Sequence, residues 1–194
     1  MNGIKKIILL ILSIILIGSM AACVEKKSTL YDYGDKNTIF VDVNNQSIQL
    51  ELRTTVGEAL TTKLVNTNIE DIKNDYNNNK IIYIEYDPNI SQNDGGVSII
   101  DLVSKLKFYN SFVKNNMQIV DSSVFTNQSE IDKIKNSKIT MIVKITKSNS
   151  TATISKSNGV YVIEGNSLKE LDKATTMFVL SIYTNPKDRY YLTI

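Results

Sequence analysis

The chain has 194 residues, 42% of them hydrophobic and 22% charged, which are values of an ordinary globular domain. It contains no histidine, no tryptophan and one cysteine. Those absences exclude Ser-His-Asp and Cys-His catalysis, His-ligated metal centres and an intrachain disulfide, and they weaken the case for a carbohydrate-stacking platform.

The first 23 residues read MNGIKKIILLILSIILIGSMAAC. Lys5 and Lys6 precede an apolar stretch from Ile7 to Ala22, interrupted by Ser13, Gly18 and Ser19. The stretch is shorter than the ~20 residues a spanning helix needs, and a basic flank followed by such a run is the plan of a secretory signal. Met20-Ala21-Ala22-Cys23 resembles the lipobox of bacterial lipoproteins, in which small residues precede a cysteine; Met20 stands where leucine is more usual. The resemblance implies that residues 1–22 are a signal peptide removed before Cys23, and that the Cys23 thiol carries a diacylglycerol with acyl chains such as palmitate. Two such chains anchor a protein stably where one does not. The alternative is an uncleaved membrane anchor with an incidental cysteine. Lys5 and Lys6 are the only charged side chains before Cys23, so the overall net charge of +2 disappears after it. A neutral mature chain lacks the basic surface that phosphate backbones demand, and nucleic acid is not an expected partner.

Residues 23–37 are polar, with Gly34 and no apolar period, and read as a lipidated cysteine and tether. Leu30, Tyr31 and Tyr33 are candidates to dock on the domain. From Thr38 onward the alternation of Ile39, Val41 and Val43, then of Ile48, Leu50 and Leu52, predicts a hairpin over 38–43 and 46–52 around Asn44-Asn45. Thr55-x-x-Glu58 predicts a capped helix carrying Val56, Ala59, Leu60 and Leu64. This strand–turn–strand–helix order loosely resembles the opening of a β-grasp domain, which bears on architecture and not on function.

Residues 66–79, rich in Asn and Asp, read as a loop with a short helix, and 80–86 as a buried strand. The longest helix is expected over 97–114, its stripe of Ile99, Val103, Leu106 and Val113 broadened by Leu102, Tyr109 and Phe112. Ser98-x-x-Asp101 is a candidate to assist its start. A short strand over 117–120 and a short helix over 129–135 precede three strands at 138–146, 151–155 and 159–165, the last two joined by Ser157-Asn158-Gly159. Ser167-x-x-Glu170 caps a final helix whose Leu171, Ala174, Phe178 and Ile182 face inward, and Asn185-Pro186 stops it. Residues 189–194 are expected to add a last strand. The Asn-Gly turn, the strand VYVIEG, a Gly-x-Ser and an apolar helix faintly resemble a strand–helix unit of surface-layer cell-wall proteins; the resemblance identifies no site.

Three local constellations carry candidate chemistry. In the loop 87–96, Asp87, Asn89, Ser91 and Asn93 alternate like calcium ligands, but Gln92 stands where the sharp turn needs Gly and Ser98 where a bidentate Glu is needed. A plain Asx- and Gly-rich connection is the preferred reading. Glu85 and Asp87 share one face at a strand end, opposite Ile82, Ile84 and Tyr86; with Asp94 they are weak candidates for a divalent-metal site. Asp94-Gly95-Gly96 before a helix offers backbone N–H groups to an anion but lacks the Lys and Ser/Thr of a phosphate loop.

The expected fold is therefore α+β: a single domain, residues 38–194, with antiparallel hairpins and about three amphipathic helices. The expected function is that of a lipid-anchored protein on the extracytoplasmic face of the cell membrane, with a non-catalytic binding or envelope-assembly role. Its expected partners are the membrane and another cell-envelope component; no cofactor and no catalytic residue are assigned. The alternatives are a carboxylate-dependent envelope hydrolase or transferase, with a divalent cation at Glu85, Asp87 and Asp94, and a small-ligand receptor component.

Overall fold

The computed structural model describes residues 33–43, 46–86, 95–113, 117–122 and 127–184. Alternation of apolar and polar residues makes the first element a hairpin, β1 (Thr38–Val43) against β2 (Gln46–Glu51), paired antiparallel with Ile39 opposite Leu50 and Val41 opposite Ile48. Those four side chains are buried in the core, while Phe40, Asp42, Ser47, Gln49 and Glu51 face out. The hairpin forms its own two-stranded sheet, so the likeness to a β-grasp opening does not extend to the topology.

Thr55 caps α1 (Val56–Leu60) by accepting from the Glu58 backbone N–H. The helix is one turn and a half, not the longer one expected, because Thr61 closes it with its hydroxyl on the Glu58 carbonyl (2.7 Å). Leu64 consequently lies on β3 (Lys63–Val65) rather than on the helix. Helix α2 (Ile69–Asn78) is longer than its Asn-rich sequence led us to expect. A reciprocal capping box between Asn68 and Asp71 starts it, and burial of Ile72 and Tyr76 holds it down.

The main sheet has six strands: β3, β4 (Ile81–Tyr86), β5 (Gln118–Asp121), β6 (Thr140–Lys147), β7 (Thr153–Ser157) and β8 (Val160–Gly165). Their spatial order is β3-β7-β8-β6-β4-β5, with β8, β6, β4 and β5 running parallel and β7 antiparallel to β8. Helix α3 (Val97–Val113) crosses from β4 to β5, and α4 (Gln128–Lys135) leads from β5 to β6. The β7–β8 hairpin turns through Asn158 (φ 50) and Gly159 (φ 79), both in the left-handed region that a two-residue type I′ turn requires. Single-domain mixed α/β architecture with two sheets is thus what the chain adopts, with five helices among the described residues.

The last helix, α5 (Leu168–Tyr183), is buried on every side from Ala174 to Tyr183. It packs on β8 and β7, and α1, α2 and α3 pack around it. That position explains a sequence apolar all round, and why Thr175, Ser181 and Thr184 turn their hydroxyls back onto carbonyls of the preceding turn. Ile82, Ile84, Val143, Ile145, Ile154, Tyr161 and Ile163 form the sheet's contribution to this core. Helix α4 lies against β6 with no buried residue of its own, and touches the opposite face of β4 through Lys135.

Several expectations fall on residues outside the described ones: the lipobox with Cys23, the docking of Leu30 and Tyr31, the Asn44-Asn45 turn, most of the loop after β4 including Asp87 and Asp94, the Asn185-Pro186 stop and the last strand over 189–194. Among the described residues, no helix is long and apolar enough to cross a membrane.

Candidate functional site

In an open sheet of this kind, the natural place for a site is the carboxyl end of two parallel strands whose connections leave in opposite directions. Here those strands are β4, which connects through α3 to β5 on one side, and β6, which leads to β7 and β8 on the other. Glu85 and Tyr86 lie at that end of β4, opposite Lys144 and Ile145 of β6, and the loop before α3 starts there.

The partition of faces on β4 is as expected: Ile82 and Ile84 enter the core and Glu85 does not. Glu85 is ion-paired with Lys135 of α4 (2.6 Å), whose ammonium also lies 5.4 Å from the Tyr83 ring centroid. The carboxylate therefore ties α4 to the sheet. Asp87 and Asp94, its proposed companions, lie outside the described residues. Among the described residues no three His, Cys, Asp or Glu side chains converge as metal ligands.

Behind this edge sits a polar cluster that the sequence does not announce. Asp172, on the second turn of α5, accepts from Arg53 Nε (2.7 Å) and Nη2 (3.2 Å) and from the Ser98 hydroxyl (2.6 Å). Ser98 is fully buried and Asp172 nearly so. The bidentate hydrogen bonds that Arg53 donates to Asp172 raise its already high pKa further, against the effect of burial. Asp101, one turn along α3, pairs with Lys105. Ser98 thus docks the start of α3 onto α5, and Asp101 forms an i,i+4 pair on the helix flank.

A second cluster lies where α2 meets the β7–β8 hairpin. Asp75 Oδ2 accepts from Lys156 Nζ (2.5 Å) and from the Tyr161 hydroxyl (2.7 Å), with Lys156 lying over the Tyr161 ring. Burial, then the hydrogen bond to Asp75, pushes the Tyr161 phenol up to about 12, and the Asp75 contact raises Lys156. A phenol that holds its proton more tightly, beside a cation that holds its own, is arranged for structure rather than proton transfer at neutral pH.

At the start of α5, Ser167 accepts from the Glu170 backbone N–H (3.3 Å), as the capping pattern predicts. The Glu170 carboxylate goes elsewhere, to the Ala152 N–H (2.7 Å) and Lys173 (2.6 Å), and both lower its pKa, Lys173 the more. Arg53, Asp75, Lys156 and Asp172 were missed because their partners are far away in sequence. The one available signal was an acid, Asp172, directly after the inward-facing Leu171.

The chain is 40% identical to the uncharacterized protein MJ0259 of Methanocaldococcus jannaschii, over 92% of this chain and 97% of that protein. No protein-family model matches the chain, and no solved structure matches it significantly.

Proposed function

We propose that this chain, which belongs to the family of that Methanocaldococcus jannaschii protein, is a lipid-anchored protein of the extracytoplasmic membrane face with a non-catalytic binding or envelope-assembly role. The single observation that carries the reading is Met20-Ala21-Ala22-Cys23 at the end of an apolar run preceded by Lys5 and Lys6. The chemistry of the domain is in keeping with it. Glu58, Asp75, Glu85 and Asp172 are each engaged by a lysine or arginine from another part of the fold, which makes them joints between elements, while Asp101 and Glu170 pair with lysines of their own helices. With no histidine in the chain and its one thiol committed to the anchor, the side chains best placed for recognition are those on the outer surface.

The experiment is metabolic labelling with a palmitate analogue. Wild-type chain takes up label and loses residues 1–22, whereas Cys23→Ser takes up none and accumulates as the longer precursor. Labelling or normal processing of the Cys23→Ser variant overturns the reading.

A further inference from the structure

Five large apolar side chains are exposed among the described residues, and three of them, Val97 (41%), Ile100 (67%) and Phe108 (43%), sit on α3. Their spacing places them on one stripe with Ser104, Lys107 and Ser111, all exposed, while Ile99, Leu102, Leu106 and Tyr109 face the core. Helix α3 thus carries large apolar side chains on both sides. Phe112, half-buried against the core, lies beside the stripe with its ring 4.8 Å from that of Phe108.

The chemistry of this outer face is specific. Lys107 is its only charged residue, since Asp101 at the margin is paired with Lys105. The Ser111 hydroxyl donates to the Phe108 carbonyl (2.6 Å), so covering that side chain with an apolar phase does not strand its own donor. Aliphatic and aromatic side chains around one cation, with no free acid, match the boundary between acyl chains and anionic headgroups, where a lysine reaches up to the headgroups.

The position matches too. Tyr33 packs on the core, and the Gly34 and Lys36 carbonyls accept from the Gly57 and Val56 N–H groups at the first turn of α1. Just ahead of that turn, Arg53 joins Asp172, which holds Ser98 of α3. The chain therefore enters the domain at the end where α3 begins. From Cys23 to Tyr33 it spans at most ~35 Å fully extended, so an anchored Cys23 keeps this end of the domain close to lipid.

We propose that the outward face of α3, with Val97, Ile100 and Phe108 as the apolar contacts and Lys107 as the cationic one, docks on the lipid surface to which Cys23 tethers the domain. The proposal rests on the anchoring reading, which supplies the membrane and the proximity.

The chain has no tryptophan, so one introduced indole reports its own surroundings. Full-length Ile100→Trp and Phe108→Trp variants are reconstituted in phosphatidylcholine–phosphatidylglycerol vesicles, with and without brominated acyl chains. The control is Glu130→Trp on α4, against the other face of the sheet. Docking gives a blue-shifted emission that brominated lipid quenches in both α3 variants and not in the control. Emission that ignores brominated lipid overturns the proposal, whether it stays solvent-like or shifts to the blue because a protein or second copy covers the helix. Palmitate-analogue labelling of the same samples separates the two readings. Label without quenching keeps the anchor and removes the docking; quenching without label keeps the docking and removes the anchor.

Discussion

Glu58 shows how a single residue combines a local role with a distant one. Its backbone N–H completes the Thr55 cap, while its carboxylate accepts from Thr54 (2.6 Å) and Lys169 (2.7 Å). Lys169 first and Thr54 second lower its pKa from 4.5 to about 2. A carboxyl depressed in the folded state adds stability that is present above its unfolded value and lost as pH falls through the folded one. The Glu58→Gln variant should therefore melt below wild type at pH 7, with the gap closing between pH ~5 and ~2. A gap of the same size at pH 3 and pH 7 would contradict this. The Thr55-x-x-Glu58 pattern is legible in the sequence because its parts are three residues apart. Lys169 is not, because only the packing of α1 on α5 brings it near.

At the scale of elements, the Arg53–Asp172–Ser98 cluster joins the segment before α1, the start of α3 and the start of α5 at one nearly buried carboxylate. Asp172→Ala leaves a guanidinium and a buried hydroxyl without their acceptor. The expected loss is about 3 kcal/mol, read as a lower midpoint in denaturant with an unchanged slope. A loss below about 0.5 kcal/mol would mean the cluster is no stronger than an exposed ion pair. Elements whose signals are local were found close to their true bounds: β1, β2, β4, α3 and the Asn158-Gly159 turn. Those decided by contacts were not. Leu64 has helical spacing from Leu60, yet pairing of β3 with β7 places it in a strand. Asn-rich α2 has weak intrinsic propensity, yet Ile72 and Tyr76 bury completely and carry ten residues into helix.

For the molecule as a whole, stability centres on α5, which the sheet and three helices enclose. Phe178 is fully buried and meets the Tyr161 ring edge-on, with centroids 6.0 Å apart. Phe178→Ala should cost about 3–5 kcal/mol, a large share of the stability of a domain this size, and be seen as a much lower melting temperature; a fall of one or two degrees would show that α5 is not the centre of the core. By itself, the sequence determined the mixture of helices and strands in one domain, the hairpins, the long helices, the inward face of β4 and the excluded chemistries, because alternation, capping and composition act over a few residues. Only the tertiary structure decided that four strands run parallel, that Glu85 pairs with Lys135, and that Asp172 gathers Arg53 and Ser98. It also decided that α3 keeps Val97, Ile100 and Phe108 exposed, a point its sequence leaves open. Strand order and the placement of isolated charges follow from contacts between distant residues, and no local pattern encodes which distant partner a side chain will meet.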